Sequence, residues 1–170
     1  YKDMSGSVQT RGVNITTLGN GPSQALQIAV SDNDRHAIAF GTINLDTGVF
    51  DPLLIRWSDA EDISQWVPNT TNTAGSLGID SGSTFVKAIE TTTETLVFTD
   101  VSLHSFKYVG PPFIFGQIRI GTNIKLIGPN AVTSTGAITA WMAAGLFQWY
   151  DGVVRDMPCD IRTYVFSILS

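Results

Sequence analysis

Three aromatic residues head similar short phrases at nearly equal steps along the chain. Trp57 opens Trp57-Ser58-Asp59, Phe98 opens Phe98-Thr99-Asp100 and Trp141 opens Trp141-Met142-Ala143, at steps of 41 and 43 residues. An apolar pair follows each: Ile63 and Trp66, Leu103 and Phe106, Leu146 and Trp149. The offsets are 6 and 9, then 5 and 8 twice. A period of about 40–45 residues built from strands is the spacing of β-propeller blades. The repeat speaks to architecture and is silent on chemistry.

The 170 residues suffice for one domain with its own core. At 43% apolar and 15% charged, the chain falls below the usual quarter of charged residues. Two readings fit: burial of surface against other chains, or a glycine-rich all-β domain that needs few charges. The net charge is −5 and the ten basic residues, from Lys2 to Arg162, form no run. Tight phosphate binding needs clustered Lys and Arg, so nucleic-acid binding is not expected. Cys159 is the single cysteine, which excludes an intrachain disulfide and a cysteine-based metal cluster. No apolar run reaches the ~18 residues of a membrane span. The chain opens at Tyr1 with neither an initiator Met nor a basic-then-apolar signal segment, so a processed product or a piece of something longer is expected. Asn14-Ile15-Thr16 and Asn69-Thr70-Thr71 fit the glycosylation pattern, a short match that chance often supplies.

Residues 1–24 are polar and glycine-rich, with one expected strand at Val13–Leu18. Three blade-like groups then fill 25–152, at about 25–68, 75–109 and 113–152. The first holds strands at Ala25–Ser31, His36–Ile43, Leu53–Trp57 and Ile63–Val67, with a turn at Ser31-Asp32-Asn33-Asp34. The second holds Leu77–Ile79, Phe85–Glu90, Thr95–Thr99 and Leu103–Val109, ended by Gly110-Pro111-Pro112. The third holds Phe113–Ile120, Lys125–Ile127, Ala131–Ser134, Ile138–Trp141 and Leu146–Tyr150. The fold class is therefore all-β and propeller-like, with about three four-stranded blades; a β-sandwich is the alternative. Three blades fall short of the four to eight that close a ring. The chain is then a segment of a larger propeller, or partners cover its sheet edges. Each repeated aromatic would fill the seam between adjacent sheets at one height. In the C-terminal segment, 153–170, Ile161, Tyr164, Val165, Ile168 and Leu169 make one helical stripe, so a short helix at 160–169 with Asp160 as N-cap is expected. A strand opening a further blade is the competing reading.

No catalytic motif emerges. His36 and His104 both fall in expected strands, no Gly-x-Ser-x-Gly phrase occurs, and Cys159 has no neighbouring His. The carboxylates gather at Asp32-Asn33-Asp34 and Asp59-Ala60-Glu61-Asp62. Counted from Asp32, the glycine position of a calcium loop is Ala37, so that pattern fails. Asp59 and Asp100 are expected to play equivalent turn roles. Catalytic, cofactor and metal residues are accordingly none, and no enzyme is expected.

Several phrases together resemble one family. They are Leu54-Ile55-Arg56-Trp57-Ser58-Asp59, Trp66-Val67-Pro68, Asn72-Thr73-Ala74-Gly75, Leu96-Val97-Phe98-Thr99-Asp100, Tyr108-Val109-Gly110-Pro111-Pro112-Phe113 and Trp149-Tyr150-Asp151-Gly152. In order and spacing they are similar to bacteriophage virion structural proteins, the propeller-containing tail hub or nozzle proteins of short-tailed phages, sometimes described as stabilising packaged DNA. The resemblance covers about Ala25 to Phe166. It implies a ring of identical copies in the tail, beside neighbouring tail proteins, around a conduit for the genome. It also implies a virion location, with assembly in the host cytoplasm, and no catalytic residue to carry over. Members are several times longer than this chain.

Three functions compete. A structural tail component would bury the repeated rings. A tail-tip glycan- or receptor-binding module would instead hold Trp141 and Trp149 in a surface groove. A sialidase-like hydrolase comes last, because its Ser-x-Asp-x-Gly-x-Thr-Trp turns are absent and the six arginines are scattered.

Overall fold

The computed structural model describes residues 20–31 and 33–169. They form twelve strands and one helix: β1 Ala25–Val30, β2 Ala37–Ile43, β3 Phe50–Trp57, β4 Gly75–Gly78, β5 Phe85–Glu90, β6 Thr95–Thr99, β7 Ser102–Gly110, β8 Ile114–Thr122, β9 Val132–Ser134, β10 Thr139–Ala143, β11 Leu146–Tyr150, β12 Val154–Met157 and α1 Arg162–Ile168. The strands make three four-stranded sheets, ordered β1-β2-β3-β4, β5-β6-β7-β8 and β12-β11-β10-β9. Each is an antiparallel meander of sequential strands, the pattern of a propeller blade rather than the two facing sheets of a sandwich.

The chain divides into two compact units. The first comprises the chain up to Asp80 together with Gly110–Ile114 and holds the sheet β1–β4. The second comprises Ser81–Val109 and Phe115 onward, and holds the other two sheets.

In the first unit, β2 is buried along most of its length, and Ala37, Ala39 and Trp66 form a core cluster. Between the pairs Phe40↔Ile55 and Thr42↔Asp51, β3 carries three residues where β2 carries only Gly41. That bulge houses Pro52, which cannot donate to a regular ladder. Gly41 sits there at φ +57, and a Cβ would lie 2.7 Å from Leu26 Cδ1. Arg56 on β3 is buried and donates to the carbonyls of Ile43 (3.1 Å), Asn20 (3.1 Å) and Trp66 (3.3 Å). Burial lowers its pKa.

In the second unit, Leu96, Phe98, Leu103, Ile124, Leu126, Trp141 and Ala143 form one buried apolar cluster between the two sheets. Phe98 on β6 meets Trp141 on β10 edge to face, with ring centroids 5.2 Å apart. Along β10, Thr139, Trp141 and Ala143 alternate inward, the period-2 pattern of a strand with one buried face. A two-residue turn, Ala144-Gly145, leads from β10 to β11, with Gly145 at φ +84. Helix α1 packs Phe166 against Phe147 of β11 at 5.4 Å between centroids.

Several expectations are corrected. The sheets span 25–78, 85–122 and 132–157, not 25–68, 75–109 and 113–152. Ile63–Val67 forms no strand: Trp66 is fully buried in a loop, its Nε1 donating to Ile63 O at 2.7 Å, and Gly75–Gly78 takes the fourth place. Gly110-Pro111-Pro112 is a turn inside a sheet, so 114–122 closes the second sheet instead of opening the third. Lys125–Ile127 contributes one isolated bridge, Leu126↔Ala143, and β12 supplies the missing strand. The tail is helical, but Ile161 occupies the N-cap without a side-chain bond, so Asp160 does not cap it. The Val13–Leu18 expectation lies outside the described residues.

The three repeated rings are all buried, at 3% exposure for Trp57, 0% for Phe98 and 2% for Trp141. Their settings are not equivalent. Phe98 and Trp141 stand on the second strand of their sheets and share one cluster. Trp57 ends the third strand of its sheet, opposite Gly75 of β4, and its ring lies across that glycine. A Cβ on Gly75 would fall 2.4 Å from Trp57 Cζ2.

Candidate functional site

The residues that the sequence brings forward are mostly structural. His36 directly precedes β2 and is buried; its Nε2 lies 3.0 Å from Thr73 Oγ1. Thr73 gives its single hydroxyl proton to Asp59 Oδ1 at 2.6 Å, so His36 Nε2 carries the proton in their contact. Burial lowers the His36 pKa against the opposing pull of Asp34 and Asp59. Asp59 Oδ1 also accepts from the amides of Thr73 (2.8 Å) and Ala60 (2.9 Å). Burial pushes the Asp59 pKa up, and the Thr73 and Ala60 bonds outweigh it, leaving a net lowering. Asp100 does the same work in the second unit, holding the Ser83 hydroxyl (2.7 Å) and the Ser83 amide (2.8 Å). Those bonds lower its pKa. Each carboxylate, two residues after a buried ring, latches the chain entering another strand, but the expected equivalence is incomplete: Asp59 follows the third strand of its sheet and holds the entry to the fourth, whereas Asp100 follows the second and holds the entry to the first.

His104, on β7, is fully buried, with Nε2 2.8 Å from Ser102 Oγ and Nδ1 2.7 Å from Gln117 Oε1. Ser102 is equally buried and lies 2.7 Å from Thr99 Oγ1, so this Ser–His contact is sealed from any substrate. Asp34 Oδ2 accepts from Ser31 Oγ at 3.0 Å within the expected turn; Asp32 lies outside the described residues. Cys159 is partly buried, and its carbonyl accepts the Arg162 amide at 3.1 Å. Trp149 is half-buried under the Arg155 guanidinium, 5.1 Å from its ring centre. Trp141 and Trp149 therefore form no open aromatic platform. Among the described residues no group of three His, Cys, Asp or Glu could hold a metal ion.

A cleft of about 320 Å³ opens in the second unit where three turns meet. Its lining includes Thr92 and Glu94 from the β5–β6 turn, Gly136 from the β9–β10 turn, and Tyr150 and Asp151 leading into β12. Glu94 is its fixed point: Tyr150 donates its phenol to Oε1 at 3.0 Å, and Ser105 donates its hydroxyl to Oε2. Burial first, then the Glu94 bond, pushes the Tyr150 pKa up to about 12, so the phenol remains a donor. The amide of Thr92 donates to Gly136 O at 3.0 Å, joining the rims of the two sheets. Sequence reasoning did not single out Glu94, Tyr150 or Gly136, because no motif links residues that three separate turns bring together. A second, apolar groove of about 290 Å³ is lined by Val132, Trp141, Met142, Phe147 and Met157.

Compared with known proteins, the chain matches no family model and no curated sequence.

Proposed function

We propose that the protein is a structural component of a bacteriophage tail, a hub or nozzle subunit that works by assembly and performs no catalysis. One observation carries the reading: apolar side chains stand in exposed rows on both units. On β1, an edge strand, Leu26, Ile28 and Val30 are 50%, 50% and 57% exposed. On α1 and its flanks, Ile161, Tyr164, Ile168 and Leu169 are 60–69% exposed. Contiguous apolar surface of this kind marks contact with other chains. Among the described residues β1 is an apolar strand at a sheet edge, and it carries neither Lys nor Pro, two of the usual guards against pairing.

The sequence phrases that resemble tail hub proteins supply the kind of assembly. Copies would contact head to tail and close into a ring around the genome conduit, with neighbouring tail proteins at its ends. The acidic balance of the chain suits a wall past which DNA slides without specific binding. No helix among the described residues is long and apolar enough to cross a membrane.

The test is the state of assembly. Full-length protein should form rings in electron micrographs, alone or when mixed with its tail neighbours, and label on intact particles should fall on the tail. Ile28→Asp should abolish the rings while leaving circular dichroism unchanged. A protein that stays monomeric in both settings would overturn the proposal.

A further inference from the structure

We propose that the three-turn cleft of the second unit is a binding site for a neutral saccharide unit. Its volume of about 320 Å³ lies within the ~300–1,000 Å³ of small-molecule sites. Chemistry then narrows the occupant. Glu94 is pinned by two protein hydroxyls, and a carboxylate offers about four acceptor positions. It therefore faces the cleft as an oriented acceptor, and an occupant must bring donors. An apolar ligand would strand that carboxylate out of water, which is unfavourable.

Anions are excluded by the lining, which contains no Lys or Arg. The nearby Arg155 is engaged, donating to Asp151 Oδ2 at 2.7 Å and covering Trp149. Asp151 is thereby matched by its own cation, leaving one carboxylate to recognise hydroxyl groups. Thr92 and Thr93 of the β5–β6 turn add hydroxyls that both donate and accept, and Tyr150 adds aromatic surface for the C–H groups of a sugar ring.

The walls are set before any ligand arrives. Thr91 Oγ1 donates to Glu94 O at 2.7 Å and accepts the Glu94 amide at 3.2 Å, fixing the turn that carries Glu94. Gly136, at φ +89, approaches Thr92 so closely that a Cβ would stand 3.0 Å from its hydroxyl. Preset walls reduce the ordering cost of binding a small polar ligand.

The site stands whether or not the chain forms rings, and saturation-transfer NMR reads ligand contact on monomer and ring alike. Full-length protein would be mixed separately with glucose, galactose, N-acetylglucosamine and putrescine at about 20 mM. Transfer to at least one sugar is expected, falling at least about tenfold in Glu94→Gln and in Ala137→Tyr. Ala137 is an exposed turn residue lining the cleft, so Tyr there fills the space and leaves the core intact; an unchanged melting temperature checks this. Transfer to no sugar, transfer to putrescine alone, or sugar signals undiminished in Ala137→Tyr would each overturn the proposal.

Discussion

The two units solve one problem by different means. A four-stranded sheet must cover its faces, and the second unit does so by setting one sheet against another through Phe98 and Trp141. Within the first unit the single sheet uses its own loop. Residues 58–74 return Trp66 to the β2 face, Arg56 ties down three carbonyls, and the Trp57 ring covers Gly75. Charge divides the same way: the chain up to Asp80 has four basic and nine acidic residues, net −5, whereas Ser81 onward has six of each. Both units also bury polar networks, His36–Thr73–Asp59 in the first and Thr99–Ser102–His104–Gln117 in the second. The first adds Arg56, a buried cation, so single polar substitutions should reach that unit more readily.

Substitutions can break or sharpen that contrast. The largest effect is expected for Trp141→Ala, which empties the seam and should cost about 3–5 kcal/mol; denaturant unfolding checks it, and a loss well below 1 kcal/mol would mean no seam exists. Arg56→Met comes next, at about 2–3 kcal/mol, because three carbonyls, that of Trp66 buried and those of Ile43 and Asn20 part-buried, lose a donor; a neutral result in the same assay would deny the staple its role. Gly75→Ala should cost about 1–3 kcal/mol by driving a methyl into the Trp57 ring, and Gly78→Ala, which meets nothing within 4 Å, serves as its control. The smallest effect is the pH response. The folded His36 pKa is lowered, so the unfolded chain binds the proton first. Stability should therefore begin to fall below about pH 6.5 and keep falling until the folded histidine titrates. Asp59 and Asp100, also lowered, add a loss that starts near pH 4 and deepens as pH falls. His36→Gln should remove the first loss and spare the second, as thermal melts across pH would register.

Much of the fold is legible in the sequence. Phe85–Glu90, Thr95–Thr99 and Leu146–Tyr150 match their strands residue for residue because β-branched and aromatic runs end at turn residues. What misleads is the spacing itself. Trp57 and Trp66 imitate the later phrases, yet a strand and a loop carry them instead of two adjacent strands. The strand expected at Leu77–Ile79 runs instead over Gly75–Gly78, and it closes the first sheet against β3 rather than opening the second, with the Trp57 ring lying over Gly75. The α1 stripe misleads differently. Its periodicity is real, but Phe166, outside the stripe, makes the docking contact. Of the cleft, the sequence displays only the threonine-rich turn, since Glu94 and Tyr150 meet through tertiary structure alone.

The irregularity opposite Gly41 sets which length changes this chain tolerates. Because β3 exceeds β2 there by two residues, an even number, inward and outward positions stay in phase on both sides of Pro52. Homologues that drop or gain a pair of residues at 52–53 would keep every downstream side chain on its proper face. Loss of a single residue there would turn Ile55 and Trp57 to the opposite face, and the frame of the strand would be lost from that point on.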